Sequence, residues 1–109
     1  MKVYEKIGNK NKKMKITQDN EVPVAFAYYP TKREFLDDIF ENGLIPGDET
    51  ERIILTKTPI YLNGANVLVE VNIMVAFRAG VPMSLTPEGY ILIESFLSQE
   101  YITSIIERA

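Results

Sequence analysis

Val67, Val69, Val71 and Ile73 alternate with Leu68, Glu70 and Asn72. That period of two marks a strand with one strongly apolar face. Asn72 is placed to cap a short helical turn, Ile73 to Ala79, which Gly80 closes in the left-handed position after the helix. Val81 to Thr86 reads as a second strand, Pro87-Glu88-Gly89 as a turn, and Tyr90 to Ile93 as the returning partner. Leu97 to Ile102 turns the chain away again. The stretch predicts half of a sheet, against which the earlier elements pack.

Upstream, Val22 to Tyr29 (VPVAFAYY) is bounded by Pro23 and Pro30 and reads as a buried strand. Thr31 and Glu34 have the spacing of a capping box. The helix they predict runs from Lys32 to Asn42, with Phe35, Leu36, Ile39 and Phe40 as its apolar stripe. Asn42-Gly43 stops it and Leu44 closes the cap. Ile45 to Arg52 is a polar loop, Ile53 to Thr56 a short central strand, and Asn63-Gly64 a turn signal. At the start, Val3–Ile7 and Met14–Thr17 read as a hairpin with Gly8 to Lys13 at its tip, and Gln18 to Glu21 as a polar connection. The pattern predicts about five to seven strands and one principal helix.

Composition narrows the chemistry. The 109 residues form one domain, 1–21 as a basic hairpin and 22–109 as a core, and 46% hydrophobic content suffices to fill that core. The chain has no cysteine, which excludes disulfides and thiolate metal sites. It has no histidine either. That removes the commonest general base, the imidazole metal ligand, and every Ser-His or Cys-His nucleophile. Net charge is −3, yet Lys2, Lys6, Lys10, Lys12, Lys13 and Lys15 supply half of the 12 basic residues. Such lysines suit a solvated tip and a guarded strand edge. Only Tyr4 stands among them, so no platform for stacking bases is formed and nucleic acid is not the expected partner. No apolar run reaches membrane-spanning length and no hydrophobic signal segment opens the chain. A cytoplasmic protein that does not enter the membrane is expected.

The order VLVEV, Asn72, short helix, AGVPM, PEGYILIE, QEYI resembles the C-terminal half of bacterial RNA 2′-phosphotransferases (KptA-like). These belong with the ADP-ribosyltransferases, whose split β-sheet surrounds an NAD-binding cleft. The unit AYYPT…FLDDIFENGL is similar to the motif "Y-H-G-T…L-x-x-I-x-x-x-GL" that opens such folds. Tyr28 matches its tyrosine, Tyr29 its histidine, Pro30 its glycine and Thr31 its threonine. Phe35, Leu36, Ile39, Gly43 and Leu44 match the helix and its stop. Ile53 to Thr56 stands where the family has "V-H-L-S", so Thr56 matches the hydroxyl and Ile54 replaces a second histidine. Thr58 to Leu62 resembles the helical turn that follows. The resemblance implies an α+β fold, a small ADP-ribosyltransferase-like mixed, curved sheet with one principal helix. It also implies a ligand site at Tyr28, Tyr29, Thr31 and Thr56.

The residues themselves thin the implied activity. The family's phosphotransfer uses a basic cluster, whereas Ser84 and Leu85 occupy the place of its arginine, and Arg33, Arg52, Arg78 and Arg108 lie elsewhere. Ordinary ADP-ribosyl transfer needs a carboxylate beside the ribose. Glu94, directly after YILI, is the best placed, with Glu88 read as a turn residue and Glu100 as a first-turn or surface charge. Pro30 offers no N–H to a ligand. The expectation is a non-catalytic ADP-ribosyltransferase-like domain that binds a protein or a nucleotide and needs no cofactor. One alternative is an active transferase with NAD as its cofactor. The other is a phage-encoded or accessory inhibitor of similar fold that binds a protein partner only.

Overall fold

The alternation from Val67 to Ile73 does produce a strand, and distant parts of the chain pair with both of its edges. The computed structural model describes residues 14–17, 21–46, 52–62 and 64–108. The predicted strand Val3–Ile7, the lysine-rich tip and most of the polar connection after Thr17 lie outside the described residues. In chain order the elements are β1 (Met14–Lys15), β2 (Phe26–Thr31), a 3₁₀ turn (Arg33–Phe35) and α1 (Leu36–Asn42). Then come β3 (Ile53–Leu55), β4 (Val67–Asn72), α2 (Ile73–Arg78), β5 (Ser84–Leu85) and β6 (Ile91–Ile93). A second 3₁₀ turn (Gln99–Tyr101) leads into β7 (Ile102–Glu107). The protein is α+β, with one main helix packed on its sheets.

The described strands form two sheets, a 4-stranded one in the order β1-β5-β6-β3 and a 3-stranded one in the order β2-β4-β7. All their pairings are antiparallel. In the larger sheet Ile53 faces Ile93 and Leu55 faces Ile91 across the ladder, and all four are buried. Alternation puts Lys15, Ser84, Leu92 and Ile54 in one row on the opposite face. In the smaller sheet Val69 and Val71 point inward beside Tyr29 and Ala27 on one neighbour and Ile105 and Ile102 on the other. Val67, Leu68, Val69 and Val71 are all 0% exposed. A fully buried side chain of this kind contributes about 1.5–3 kcal/mol, so β4 is the strand on which the fold depends most.

Several local expectations hold. The Asn72 side chain accepts a hydrogen bond from the Val75 N–H at 3.1 Å, and Gly80, at φ 100, ends α2. The β5–β6 turn is closed by Thr86, whose N–H bonds the Tyr90 carbonyl at 2.8 Å and whose hydroxyl accepts the Tyr90 N–H at 2.9 Å.

Others are corrected. Strand β2 begins at Phe26 rather than Val22 and runs through Pro30 to Thr31. Thr31 is therefore engaged in the ladder opposite Val67 and caps nothing. The first free amide is met from afar, the Arg33 N–H donating to Asn66 Oδ1 at 2.9 Å, and the α-helix starts only at Leu36. A 3₁₀ turn winds more tightly than an α-helix, so the inward arc narrows to Leu36 and Ile39. Phe35 and Phe40, expected on that arc, are 50% and 49% exposed. The predicted helical turn over Thr58–Leu62 is absent. Pro59 drives Thr58 out of the helical region, and the Thr58 carbonyl instead accepts the Thr56 hydroxyl at 2.8 Å. The strand expected over Val81–Thr86 shrinks to Ser84–Leu85, because Pro82 has no N–H for a ladder and the Val81 N–H bonds back to Ala76 at 3.1 Å. Strand β7 was not anticipated at all.

Gly43 joins α1 to the rest. Leu44 and Leu97 exchange backbone hydrogen bonds at 2.9 Å just beyond it. Gly43 has φ 78 and ψ −170, a region essentially confined to glycine.

Candidate functional site

One proline opens the cleft. Tyr28 and Thr56 exchange backbone hydrogen bonds of 2.9 and 2.8 Å, which ties β2 to the end of β3 and so joins the two sheets. Bonded antiparallel pairs recur every second residue, so the next one would unite Pro30 with Ile54. Pro30 has no N–H and cannot make it. Within β2 the same alternation turns the Pro30 nitrogen away from β4, so that ladder is not weakened. The pairing with β3 stops after one bridge, and the sheets part.

The gap between them is a cleft of about 600 Å³. Tyr29, Thr31 and Thr56 line it together, along with Pro30 and Ile54. Lys32, Phe35, Arg52 and Tyr90 complete the part of the wall that matters chemically. Arg52, Ile54 and Thr56 sit at alternate positions leading through β3, so a period of two from Thr56 would have found the arginine. Lys32 follows Thr31 directly. Tyr90 comes from the turn before β6, which only the strand order brings here.

Tyr28 and Glu94 lie outside this cleft, and Thr56, in its wall, has its hydroxyl engaged. Tyr28, on the opposite face of β2 from Tyr29, stands across from Glu70. Burial, then the Glu70 charge and its hydrogen bond, raise the Tyr28 phenol above its usual 10.0. Thr56 is 1% exposed, and its hydroxyl donates to the Thr58 carbonyl at 2.8 Å, with the Tyr28 carbonyl at 3.4 Å. Its proton is thus committed within the fold, leaving its oxygen only as an acceptor. Glu94 lines a neighbouring pocket of about 460 Å³ with Lys15, Pro82, Ser84 and Leu92. Tyr90 to Glu94 spans roughly 13 Å of extended chain at about 3.3 Å per residue, so this strand presents a phenol and not the carboxylate to the cleft. Glu88 lies exposed at the turn and Glu100 exposed in the second 3₁₀ turn, as expected of both. Among the described residues no group of three or more carboxylates is placed to hold a metal ion.

Burial also raises the phenol of Tyr29 above 10.0, so both tyrosines are neutral hydrogen-bond donors at physiological pH. A raised folded-state value means that their contribution to stability is fully present below the ordinary phenol range. It is lost as pH climbs through the folded value. Thermal melts should show a fall in stability above about pH 10, and Tyr29→Phe should flatten that fall. An unchanged alkaline slope in the variant would show that Tyr29 does not contribute.

No helix among the described residues is long and apolar enough to cross a membrane. No protein-family model matches the chain, and no curated protein matches it. The functional reading rests on the cleft.

Proposed function

We propose that the chain is a non-catalytic binding module of ADP-ribosyltransferase-like construction, whose cleft takes a nucleotide or a closely similar planar anion. The observation that carries this is the composition of the cleft wall. The aromatic rings of Tyr29, Phe35 and Tyr90 stand beside the cations Lys32 and Arg52 in one opening. Aromatic faces stack on planar rings, and a guanidinium binds phosphate in bidentate fashion. By the alternation that excludes Pro30 from pairing, the N–H and C=O of Ile54 face the gap, a donor and an acceptor for the edge of a ring. The cleft binds, and Glu94 in its separate pocket is not part of the binding wall.

Titration calorimetry with NAD, ADP-ribose and AMP tests this, with the reaction followed in parallel by NMR. The expected result is binding weaker than about 10 μM, with NAD intact after prolonged incubation. Tyr29→Ala should weaken binding about thirtyfold, through lost stacking and one hydrogen bond of about 1 kcal/mol each. Release of nicotinamide would overturn the non-catalytic reading. Failure of all three ligands to bind would overturn the nucleotide reading.

A further inference from the structure

Helix α1 follows the turn whose Phe35 lines the cleft, and part of its own surface faces neither the cleft nor the core. At 3.6 residues per turn, Leu36 and Ile39 point inward, and Asp37, Asp38 and Glu41 occupy the opposite arc, all exposed. Phe40 sits at the boundary of the two arcs and is 49% exposed. Phe96 lies over Gly43, which follows the helix three positions after Phe40, close enough that a Cβ there would meet its ring at 2.9 Å. Phe96 is 54% exposed. Neither phenylalanine lines the cleft.

Two half-exposed rings beside a carboxylate-bearing helix face define an apolar patch with a charged border of one sign. The two basic residues just before the helix are engaged elsewhere: Arg33 is held by Glu107 at 3.1 Å, and Lys32 lines the cleft. We infer that this face of α1, with Phe40 and Phe96 as anchors, docks a protein partner that offers an amphipathic helix, its apolar face flanked by lysine or arginine. Aromatic side chains that fill a pocket account for most of the energy in such contacts. Opposite charges at the rim set orientation and approach more than affinity. The border selects a basic partner, because an acidic one would bring like charges together across the apolar contact.

The test uses a synthetic amphipathic helical peptide of leucine and lysine, with its glutamate counterpart as control. Binding is read by fluorescence anisotropy and by amide shifts in the labelled chain. The lysine peptide should bind, more weakly as salt rises, with shifts centred on residues 36–43 and 95–97. Phe40→Ser should weaken it about tenfold, and Asp37→Lys with Glu41→Lys should weaken it at least as much, while ADP-ribose still enters the cleft. Both changes are at exposed positions, and amide spectra verify that each variant is folded. Equal binding to the wild type and both variants, shifts spread over the whole acidic chain, or no binding would overturn the proposal. Self-association that disappears when Lys10, Lys12 and Lys13 become serine would assign the face to the chain's own basic segment and overturn it too.

Discussion

Replacing Gly43 by alanine should lower the free energy of unfolding by about 2–6 kcal/mol. Two independent terms add. The backbone there, φ 78 and ψ −170, lies where any side chain costs about 1–3 kcal/mol. The new Cβ would also stand 2.5 Å from the Leu97 carbonyl oxygen. That oxygen cannot swing aside, because it accepts the Leu44 N–H at 2.9 Å in the bridge that docks the end of α1. Relieving the overlap means breaking the bridge or displacing the helix, and overpacking of this kind costs about 1–3 kcal/mol. Gly80→Ala is the control, since φ is 100 there but nothing lies within 4 Å of the added carbon. It should show the backbone term alone. Urea denaturation of both variants decides the matter, and equal losses would mean that the Gly43 contact is relieved without cost.

The second large effect is expected from Pro30→Val, and it is on binding rather than stability. Valine restores an N–H directed at Ile54 and favours strand geometry, so β2 and β3 can pair for one more step and draw the sheets together. Amide exchange should show protection at the new amide of position 30 and at that of Ile54. ADP-ribose affinity should fall more than tenfold, because Ile54 would give its donor and acceptor to the strand. A variant that keeps both amides fast-exchanging would show that something other than the missing N–H holds the cleft open.

What was legible in the sequence was local. Asn72, Gly80 and the Thr86–Tyr90 turn act on neighbours within a few residues, and each does what its chemistry suggested. The strand at Val67–Asn72 was legible because its alternation is long and apolar. Strand β7 was not, since Thr103 and Ser104 interrupt its isoleucines and its only reason to extend is pairing with β4, more than thirty residues earlier. The capping box failed for a related reason: Thr31 serves a ladder with Val67, and local propensity gave way to that pairing. Tyr29, Thr31 and Thr56 stand in the motifs that carry the resemblance, and the fold brings all three to one cleft. Arg52, two alternations before Thr56, and Lys32, next to Thr31, were within reach of the sequence pattern and went unread, whereas Tyr90 reaches the cleft only through strand order. Glu94 was chosen for its position after a strand, and strand order takes it to the next pocket.

The place of β7 at the outer edge of the smaller sheet has a consequence for how the protein comes into being. It is the last of these elements to leave the ribosome, yet it covers one edge of the strand on which the core depends, from Val67 to Val71. Until Glu107 has emerged, that edge is an open row of donors and acceptors flanked by buried valines, a surface that invites pairing with other chains. The smaller sheet therefore cannot be completed during synthesis until β7 has emerged. The nascent chain must be kept from its neighbours until β7 is made.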